Sequence, residues 1–452
     1  MAEAGGNQAA FADYVAAHSK RNIPDDIIDA ARLCLADWLA CAIGAGDEPA
    51  GVIVRKTVAG WGARGEARVL YGGQTAPAFA ALANGTLAHC LDFDDTHIGA
   101  ICHTSAPVWA ATLAAGQAKG VDEHDMLRAY ITGYEVATRA GGGLGQAVTQ
   151  RGWHSTGIWG RLGACAAASA VMGLDQSRVA NALGAAATQA GGLVASFGTM
   201  AKPFHAGKAA MDGVLAAELA ASGFTAATGI IDAGGGLDKA LVQDGSLQVR
   251  LPRFDHFELL QNSFKPYAAC HLVHPCADAA RALDVEPERI ARISAKVSPL
   301  AMQVTGGASG RPETALAAKF DLKYCIAMAL HGQILSAADF IEPWTADPKV
   351  LETAARIVPL ADDSETIASA HLDVELRDGE TTSSVIATAK GHPGNPMTWD
   401  DMWDKFDGLV SAKLGSRSRT LFDAIRAFGS GTAMATIDDV CAGLADRNGM
   451  AS

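Results

Sequence analysis

Alanine-rich stretches with helical spacing fill the first part of the chain and constrain its fold more than any other feature. Apolar residues recur there three or four positions apart, and almost no stretch alternates with a period of two. The predicted helices are Phe11–Ile43, Ala78–Ala88, Ser105–Lys119, Glu123–Ala140 and Leu162–Met172. Because small residues at this density let helices approach closely, the sequence predicts a compact all-helical bundle.

The pattern changes after about Lys265, where alternating polar and apolar residues begin. The predicted strands are Arg289–Val304, His371–Arg377 and Thr381–Ala389. The turn-forming pair Asp378-Gly379 separates the last two, which is typical of a hairpin. Helical spacing persists over Ala315–Leu335 and resumes after Thr398, a predicted N-cap.

The length of 452 residues is large for one core, so two domains are expected. We predict a mainly α fold: an all-helical bundle domain formed by residues 1–262 and 395–452, with an inserted α+β domain of residues 263–394.

Charge and composition exclude several classes of protein. The net charge of -13, without any Lys/Arg-rich run, argues against nucleic-acid binding. The first residues lack the basic start and apolar core of a signal peptide, and no apolar run is long enough to cross a membrane. The nine cysteines form no Cys-x-x-Cys pair. We therefore expect a cytoplasmic protein with reduced cysteines, no membrane contact and no nucleic-acid partner.

One polar segment stands out among the apolar helices, from Asn84 to His103. Its titratable residues are His89, Asp92, Asp94, Asp95, His97 and His103, and it also contains Thr96. Ionisable groups are costly to bury unless they are paired, so such a cluster beside an apolar core needs a reason. The segment either ends a helix with solvated carboxylates or lines a pocket, and this stretch alone leaves both open.

Four further stretches carry polar residues that apolar helices do not need. The residues concerned are His154; Lys202, His205 and Lys208; Lys265, His271 and His274; and Lys319, Lys323 and Tyr324. Taken singly, each is more often structural than functional. Together they form a cationic and titratable set suited to binding carboxylates and moving protons at carbon.

Other site types fit the sequence less well. Gly141-Gly-Gly-Leu-Gly follows a predicted helix rather than a strand, so it does not match a dinucleotide-binding turn. No phosphate-binding loop and no Gly-x-Ser-x-Gly elbow occur. Asp92, Asp94, Asp95 and His97 are all metal-ligand types. A metal hydrolase is nevertheless disfavoured, because the chain has no His-x-x-x-His pair on a helix.

Several of these stretches resemble the MmgE/PrpD family. The motifs, in chain order, are Asp92-Phe-Asp-Asp-Thr-His, Arg151-Gly-Trp-His-Ser-Thr-Gly, Gly198-Thr-Met-Ala-Lys-Pro-Phe-His-Ala-Gly-Lys-Ala-Ala, Lys265-Pro-Tyr, Glu313-Thr-Ala-Leu-Ala-Ala-Lys-Phe and Pro396-Met-Thr-Trp-Asp-Asp. The family includes 2-methylcitrate dehydratases, cis-aconitate decarboxylases and an iminodisuccinate epimerase. The resemblance implies a helical domain with an α+β lid, a homodimer, and action on small polycarboxylates without a metal or an organic cofactor.

Carried over position by position, the resemblance also implies site residues. The catalytic residues would be Asp92, His103, His154, Lys202, His271 and Tyr324, and the substrate-binding residues Thr96, His205 and Lys265. The spacing differs from the family's by about one residue at two places. His97 therefore stays an alternative to His103, and His274 an alternative to His271.

These residue types suit proton transfer next to a carboxylate, because the reaction passes through a species with extra negative charge. Lysine and protonated histidine stabilise that charge, and histidine serves as acid or base. We expect His103 or His154 to transfer the proton. In the remaining roles, Lys202, Lys265 and His271 bind substrate carboxylates, Asp92 orients a histidine, and Tyr324 assists protonation.

The expected function is a cofactor-independent lyase acting on a small di- or tricarboxylate. Dehydration of a 2-methylcitrate-like substrate is expected first, with cis-aconitate decarboxylation or iminodisuccinate epimerisation as alternatives. A non-catalytic carboxylate-binding protein is the alternative of another class. It would tolerate losing His103, His154 and His271, so their presence favours an enzyme.

Overall fold

The chain forms two compact units in a computed structural model that describes residues 6–142, 144–232, 235–244, 252–340 and 347–447. Met1–Asn262 and Met402–Ser452 form the first unit, and Ser263–Asp401 forms the second. The described residues are mainly helical, which confirms the predicted fold class.

The first unit is built almost entirely from helices. Up to residue 262 they are α1 (Asn7–Ala16), α2 (Asp25–Gly44), α3 (Pro49–Gly60), α4 (Pro77–His89), α5 (Ser105–Lys119), α6 (Glu123–Gly141), α7 (Gly145–Gln150), α8 (Ser155–Val171), α9 (Gln176–Ala187), α10 (Ala201–Ala221) and α11 (Leu237–Leu241). Two-residue strands are β1 (Ala67–Arg68), paired antiparallel with β2 (Gln74–Thr75), and β3 (Thr96–His97). β4 (Asn262–Ser263) stands at the boundary between the units.

The centre of this unit depends on small residues where helices meet. A Cβ atom on Gly85 of α4 would lie 3.0 Å from the Cα atom of Gly207 on α10. A Cβ atom on Gly133 of α6 would lie 2.5 Å from the carbonyl oxygen of Gly163 on α8. Side chains larger than glycine would push these helix pairs apart. The alanine and glycine density of the sequence thus translates into close helix packing, as predicted.

The second unit combines helices with one sheet. Its helices are α12 (His274–Arg281), α13 (Pro299–Ala301), α14 (Ala315–Lys319), α15 (Leu322–Leu330) and α16 (Pro348–Ala354). Its strands are β5 (Ile290–Val297), β6 (Ile357–Ala361), β7 (Ala370–Leu376) and β8 (Thr381–Ile386), in the order β6-β5-β7-β8. β5 runs parallel to β6 and antiparallel to β7, with Ile293 opposite Ile357 and Val374.

Two sequence predictions in this unit need correction. The strand predicted over Arg289–Val304 ends at Val297, because Pro299 has no N–H to donate and the Ser298 hydroxyl accepts from Ala301 N at 3.3 Å. A π-helical turn, Met302–Gly306, follows α13. The helix predicted over Ala315–Leu335 is broken at Asp321, whose carboxylate accepts from Tyr324 N at 3.0 Å and so starts α15.

The chain returns to the first unit through α17 (Trp399–Leu414), α18 (Arg417–Arg426) and α19 (Ala433–Arg447). Thr398 precedes α17 as predicted, and its hydroxyl accepts from Asp401 N at 3.2 Å. The Asp401 carboxylate accepts in return from Thr398 N at 2.7 Å, which completes a reciprocal cap. None of the described helices is long and apolar enough to cross a membrane. All nine cysteines lie in the described part of the chain, and none forms a disulfide.

Candidate active site

The polar segment Asn84–His103 starts within α4, and its residues 90–103 (the acidic segment) lead from the end of α4 to the start of α5. Near the start of the acidic segment, Asp92 has a left-handed conformation, with φ of 52°, and its N–H donates to the His89 carbonyl at 3.3 Å. Asp94, Asp95 and His89 are each at most 1% exposed. The segment is therefore not a solvated helix end, because two of its three carboxylates, those of Asp94 and Asp95, are buried and hydrogen-bonded within the unit.

Asp94 lies between two histidines. Its carboxylate is 2.9 Å from His89 Nδ1 and 3.2 Å from His103 Nδ1. Burial alone would raise the pKa of Asp94, but the charges and hydrogen bonds of His103 and His89 outweigh it and hold the pKa well below its usual range. Asp94 is consequently an anion that accepts from both rings, and it directs His103 Nε2 away from itself.

Asp92 and Lys202 lie on the other side of His103. His103 Nε2 is 3.6 Å from Asp92 Oδ1, which is 2.6 Å from Lys202 Nζ. Lys202 comes from the first turn of α10, and its ammonium lies 5.0 Å from the centre of the Phe197 ring. The arrangement places a cation and an anion beside the outward nitrogen of a histidine.

A second pair of histidines borders this group. His154 directly precedes α8, and its Nδ1 is 3.0 Å from Nδ1 of His205 on α10, so one ring donates to the other. Its ring is stacked with that of His89, with centroids 5.8 Å apart. Burial, followed by the neighbouring His89, lowers the pKa of His154 far below its usual range. Burial and His89 lower the pKa of His205 as well. His154 is thus a neutral histidine at physiological pH.

Thr96 and Thr156 support His103. Thr96 Oγ1 is 3.5 Å from His103 Nδ1, a long contact beside the bond to Asp94. The backbone N–H of His103 donates to the Thr156 hydroxyl of α8 at 3.1 Å. The Gly-Trp-His-Ser-Thr motif therefore contributes to holding the histidine of the acidic segment.

His97, the alternative to His103, points elsewhere. Its Nε2 is 3.0 Å from the Glu258 carboxylate, and its Nδ1 accepts from Ala100 N at 3.1 Å. The hydrogen bond from His97 lowers the pKa of Glu258 to about 2. The structure places His103, rather than His97, beside Asp92 and Asp94.

The other predicted residues belong to the second unit. His271 Nε2 is 3.3 Å from the Ser263 hydroxyl, and its ring centroid is 4.9 Å from that of His274. His274 is buried, with Nε2 3.2 Å from the Ala269 carbonyl oxygen. Lys265 is buried too. Tyr324 lies in the first turn of α15, and burial raises the pKa of its phenol to about 12.

Four side chains of the first unit are of metal-ligand type and lie within 4.8 Å of one another: His89, Asp92, Asp94 and His103. However, the Lys202 ammonium already lies at hydrogen-bond distance from Asp92, the most exposed of the four. A divalent cation bound there would be repelled by this lysine at close range. The charge of Asp92 is thus neutralised by a lysine and not left for a divalent ion, so we assign none of the four as a metal ligand.

Sequence reasoning did not assign a role to His89, Asp94 or Phe197. His89 and Asp94 belong to the polar segment, but the local sequence does not show which side chains of that segment face His103. Only their spacing indicates a contact: His89 ends α4, and Asp94 follows five residues later in an irregular turn. Phe197 gave no signal beyond its place near the Lys202 motif.

Comparison with known proteins covers nearly the whole chain. The MmgE/PrpD N-terminal domain matches residues 9–250, and the MmgE/PrpD C-terminal domain matches residues 267–427. The chain is 28% identical over 444 residues to "Cis-aconitate decarboxylase-like protein oryM" of Aspergillus oryzae. This alignment covers 90% of this chain and 91% of the relative. It is 27% identical over 428 residues to "Cis-aconitate decarboxylase" of Aspergillus terreus, with 86% of each protein covered. A human "Cis-aconitate decarboxylase" is 29% identical over 357 residues, covering 75% of this chain and 73% of the relative.

Proposed function

Since this chain belongs to the MmgE/PrpD family of enzymes, we propose that it is a lyase that transfers a proton at a carbon next to a carboxylate of a small di- or tricarboxylate. The observation that carries the proposal is the group formed by Asp92, His103 and Lys202, with Asp94 behind the histidine. A lysine supplies positive charge, and an oriented histidine next to it supplies or removes a proton.

Decarboxylation of cis-aconitate, or of a close analogue, is the first candidate reaction. The relatives described above are named as cis-aconitate decarboxylases or as resembling them, which changes the order of the sequence-based expectation that put dehydration first. At 26–29% identity a different substrate of the same class is compatible with the comparison. Dehydration of a 2-methylcitrate-like substrate therefore stays the second candidate, since it needs the same proton traffic.

Decarboxylation requires no bound electron acceptor when the substrate carries a double bond next to the reacting carbon. The C–C bond to the departing carboxylate breaks and CO₂ leaves. The electron pair of the broken C–C bond forms a new double bond to the neighbouring carbon. The electrons of the original double bond move to its far carbon, which then takes a proton. Negative charge builds up on that carbon and on the carboxylate attached to it. Lys202 stabilises this charge electrostatically in our proposal.

His103 and His154 are the candidates for the proton transfer. Asp94 accepts from His103 Nδ1, which leaves Nε2 facing Asp92 and Lys202 as the nitrogen that exchanges a proton with substrate. His154 is neutral and hydrogen-bonded to His205, so it is suited to act as a hydrogen-bond donor rather than as a fixed charge, and its lowered pKa makes it a weaker base than an exposed histidine. For Lys265, His271 and Tyr324 the proposed roles in carboxylate binding and protonation rest on the family resemblance.

The proposed homodimer has a candidate surface in the first unit. Along α10, a stripe formed by Phe204, Met211, Leu215 and Leu219 (the α10 stripe) lies at helical spacing, and three of the four are more than a third exposed. Beside it lies a groove of about 500 Å³, lined mainly by apolar side chains of α3, α4 and α10. Exposed apolar surface of this kind is typical of protein contacts. We propose a second copy of the chain as its partner.

An NMR time course in deuterated water tests the reaction. Purified, chelator-treated protein is incubated with cis-aconitate, 2-methylcitrate, citrate and iminodisuccinate in parallel. We expect CO₂ release from cis-aconitate, with one deuterium built into the product at carbon. A product that has lost water instead would identify a dehydratase. Activity that requires a divalent ion after chelation, or a decarboxylated product without deuterium at carbon, would overturn the proposed chemistry.

A further inference from the structure

The acidic segment is held by a buried ion pair whose members come from distant parts of the sequence. Lys405, on α17, and Asp37, on α2, have side chains that are 1% and 0% exposed, and Lys405 Nζ is 2.5 Å from Asp37 Oδ1. The same ammonium donates to the Phe93 carbonyl oxygen at 2.7 Å and lies 4.0 Å from the centre of the Phe93 ring. The other carboxylate oxygen of Asp37 accepts from Asp95 N at 2.9 Å.

The ion pair therefore forms hydrogen bonds with the backbone of the acidic segment at two residues that are two positions apart. Phe93 is held through its carbonyl group and Asp95 through its N–H group. The Asp95 side chain is anchored as well, because its carboxylate accepts from Asn262 Nδ2 at 2.9 Å and from the Ser105 hydroxyl. The residues between and before these anchors, Asp94 and Asp92, are the ones that contact His103.

Stability alone does not explain an ion pair at this place. Removing two charges from water carries a large desolvation penalty, and well-packed apolar residues often stabilise a core as well as a buried pair does. Burial raises the pKa of Asp37, and the charge of Lys405 opposes that increase. The pair does, however, provide one hydrogen-bond donor and one acceptor for backbone groups two residues apart. Apolar side chains provide neither.

The segment also needs external support because of its backbone conformation. Asp92 has φ of 52°, a left-handed conformation that is uncommon for residues other than glycine, although aspartate tolerates it better than most. A strained residue keeps such a conformation only where its surroundings fix it. Here the residue that follows it, Phe93, is the one held by Lys405.

We propose that Lys405 and Asp37 are positioning residues, which hold Phe93 and Asp95 so that Asp92 and Asp94 stay on opposite nitrogens of His103. The kinetic part of this inference rests on the proposed function, whereas the geometric part does not. Neither residue touches substrate in this assignment, and both act through the backbone of the acidic segment.

Two variants separate positioning from stability. Lys405→Met removes the donor to Phe93 and leaves a buried carboxylate unpaired, so it is expected to destabilise the protein. The double variant Asp37→Asn/Lys405→Met removes both charges, keeps the acceptor for Asp95 N–H and avoids the unpaired carboxylate. We expect its melting temperature to lie within a few degrees of the wild-type value. Glu123→Gln is the matched control, because Glu123 is also buried and accepts from the backbone N–H groups of Gly429, Gly431 and Met434, away from the acidic segment.

The readouts are the histidine ring signals in NMR spectra of the substrate-free protein and the steady-state kinetics. In the double variant we expect the ring signals of His103 to shift, kcat to fall about 10- to 100-fold and KM to change less than about 3-fold. Glu123→Gln is expected to lower the melting temperature while it leaves the His103 signals and kcat unchanged. Lost activity in Glu123→Gln, or wild-type ring signals and kcat in a folded double variant, would overturn the assignment. If wild-type protein turns over no tested substrate, the proposed function fails, and the ring signals alone decide the positioning role.

Discussion

Lys202 Nζ lies 2.6 Å from Asp92 Oδ1, and the same carboxylate oxygen lies 3.6 Å from His103 Nε2. One carboxylate thus connects the cation of α10 with the histidine of the acidic segment. Asp92 keeps about two fifths of its side chain exposed, so this ion pair is accessible from solvent.

Replacing Lys202 with methionine should abolish most of the activity. The variant keeps the length of the side chain but loses the charge that, in the proposed function, stabilises the developing anion, so we expect kcat/KM to fall at least about 100-fold. Lys119→Met, at an exposed lysine at the end of α5, is the control and should keep wild-type kinetics. A folded Lys202→Met protein with full activity would remove Lys202 from the mechanism.

Two substitutions of His89 test whether it acts through Asp94. His89→Asn retains an N–H group near the position of Nδ1, whereas His89→Leu does not. In the leucine variant the Asp94 carboxylate loses its contact with His89 and is held by His103 alone, so the orientation of Asp94 and of the His103 ring is less fixed. We expect kcat to fall about 10- to 100-fold for leucine and much less for asparagine. Equal kcat values for the two variants would contradict this role.

Acid should weaken the protein partly through Asp94. Its folded-state pKa lies below the unfolded value of 3.8, so the ionised form is favoured in the folded state. The resulting stability is present above about pH 4 and is lost as the pH falls through and below that value. Asp94→Asn lacks this contribution, so melting curves should show a variant that is less stable at pH 7 by about 1–3 kcal/mol, with a difference that shrinks toward pH 3. A constant difference over this range would exclude the linkage.

Charge on the α10 stripe should dissociate the proposed dimer. Leu215→Glu/Leu219→Glu places two carboxylates on its exposed end and is expected to convert a dimer into a monomer in sedimentation experiments at micromolar concentration. Val385→Glu, at an exposed position on β8, is the control for a surface charge. A wild-type protein that sediments as a monomer would disprove the dimer, and a dimer unaffected by the double substitution would move it to another surface.

The sequence predicts much of this fold because its signals are local. α5 begins and ends at the predicted residues, Ser105 and Lys119, and the hairpin of β7 and β8 follows from alternation around Asp378-Gly379. The errors arose where one residue overrides the surrounding pattern. Pro299 ends a strand whose alternation continues beyond it, and Asp321 starts a new helix within a helical pattern.

The candidate site is predictable to a smaller extent. Motifs singled out His103, His154 and Lys202, and the structure brings these parts of the chain together in the first unit. The choice between His103 and His97 depends on which way a short irregular segment faces. That direction is set by Asp37 and Lys405, which lie 58 residues before Asp95 and 312 residues after Phe93. No local pattern carries that information.

The reach of Lys405 has a consequence for how the protein acquires activity during synthesis. The ribosome makes Asp92, His103 and Lys202 early, but the ammonium that fixes Phe93 emerges only after all of residues 263–401 have been translated. A nascent chain that stops within this stretch has made Asp37 but not Lys405, its partner in the buried ion pair. It lacks the last anchor of the acidic segment. On the proposed positioning role, the acidic segment therefore reaches its final geometry only after α17 has been made.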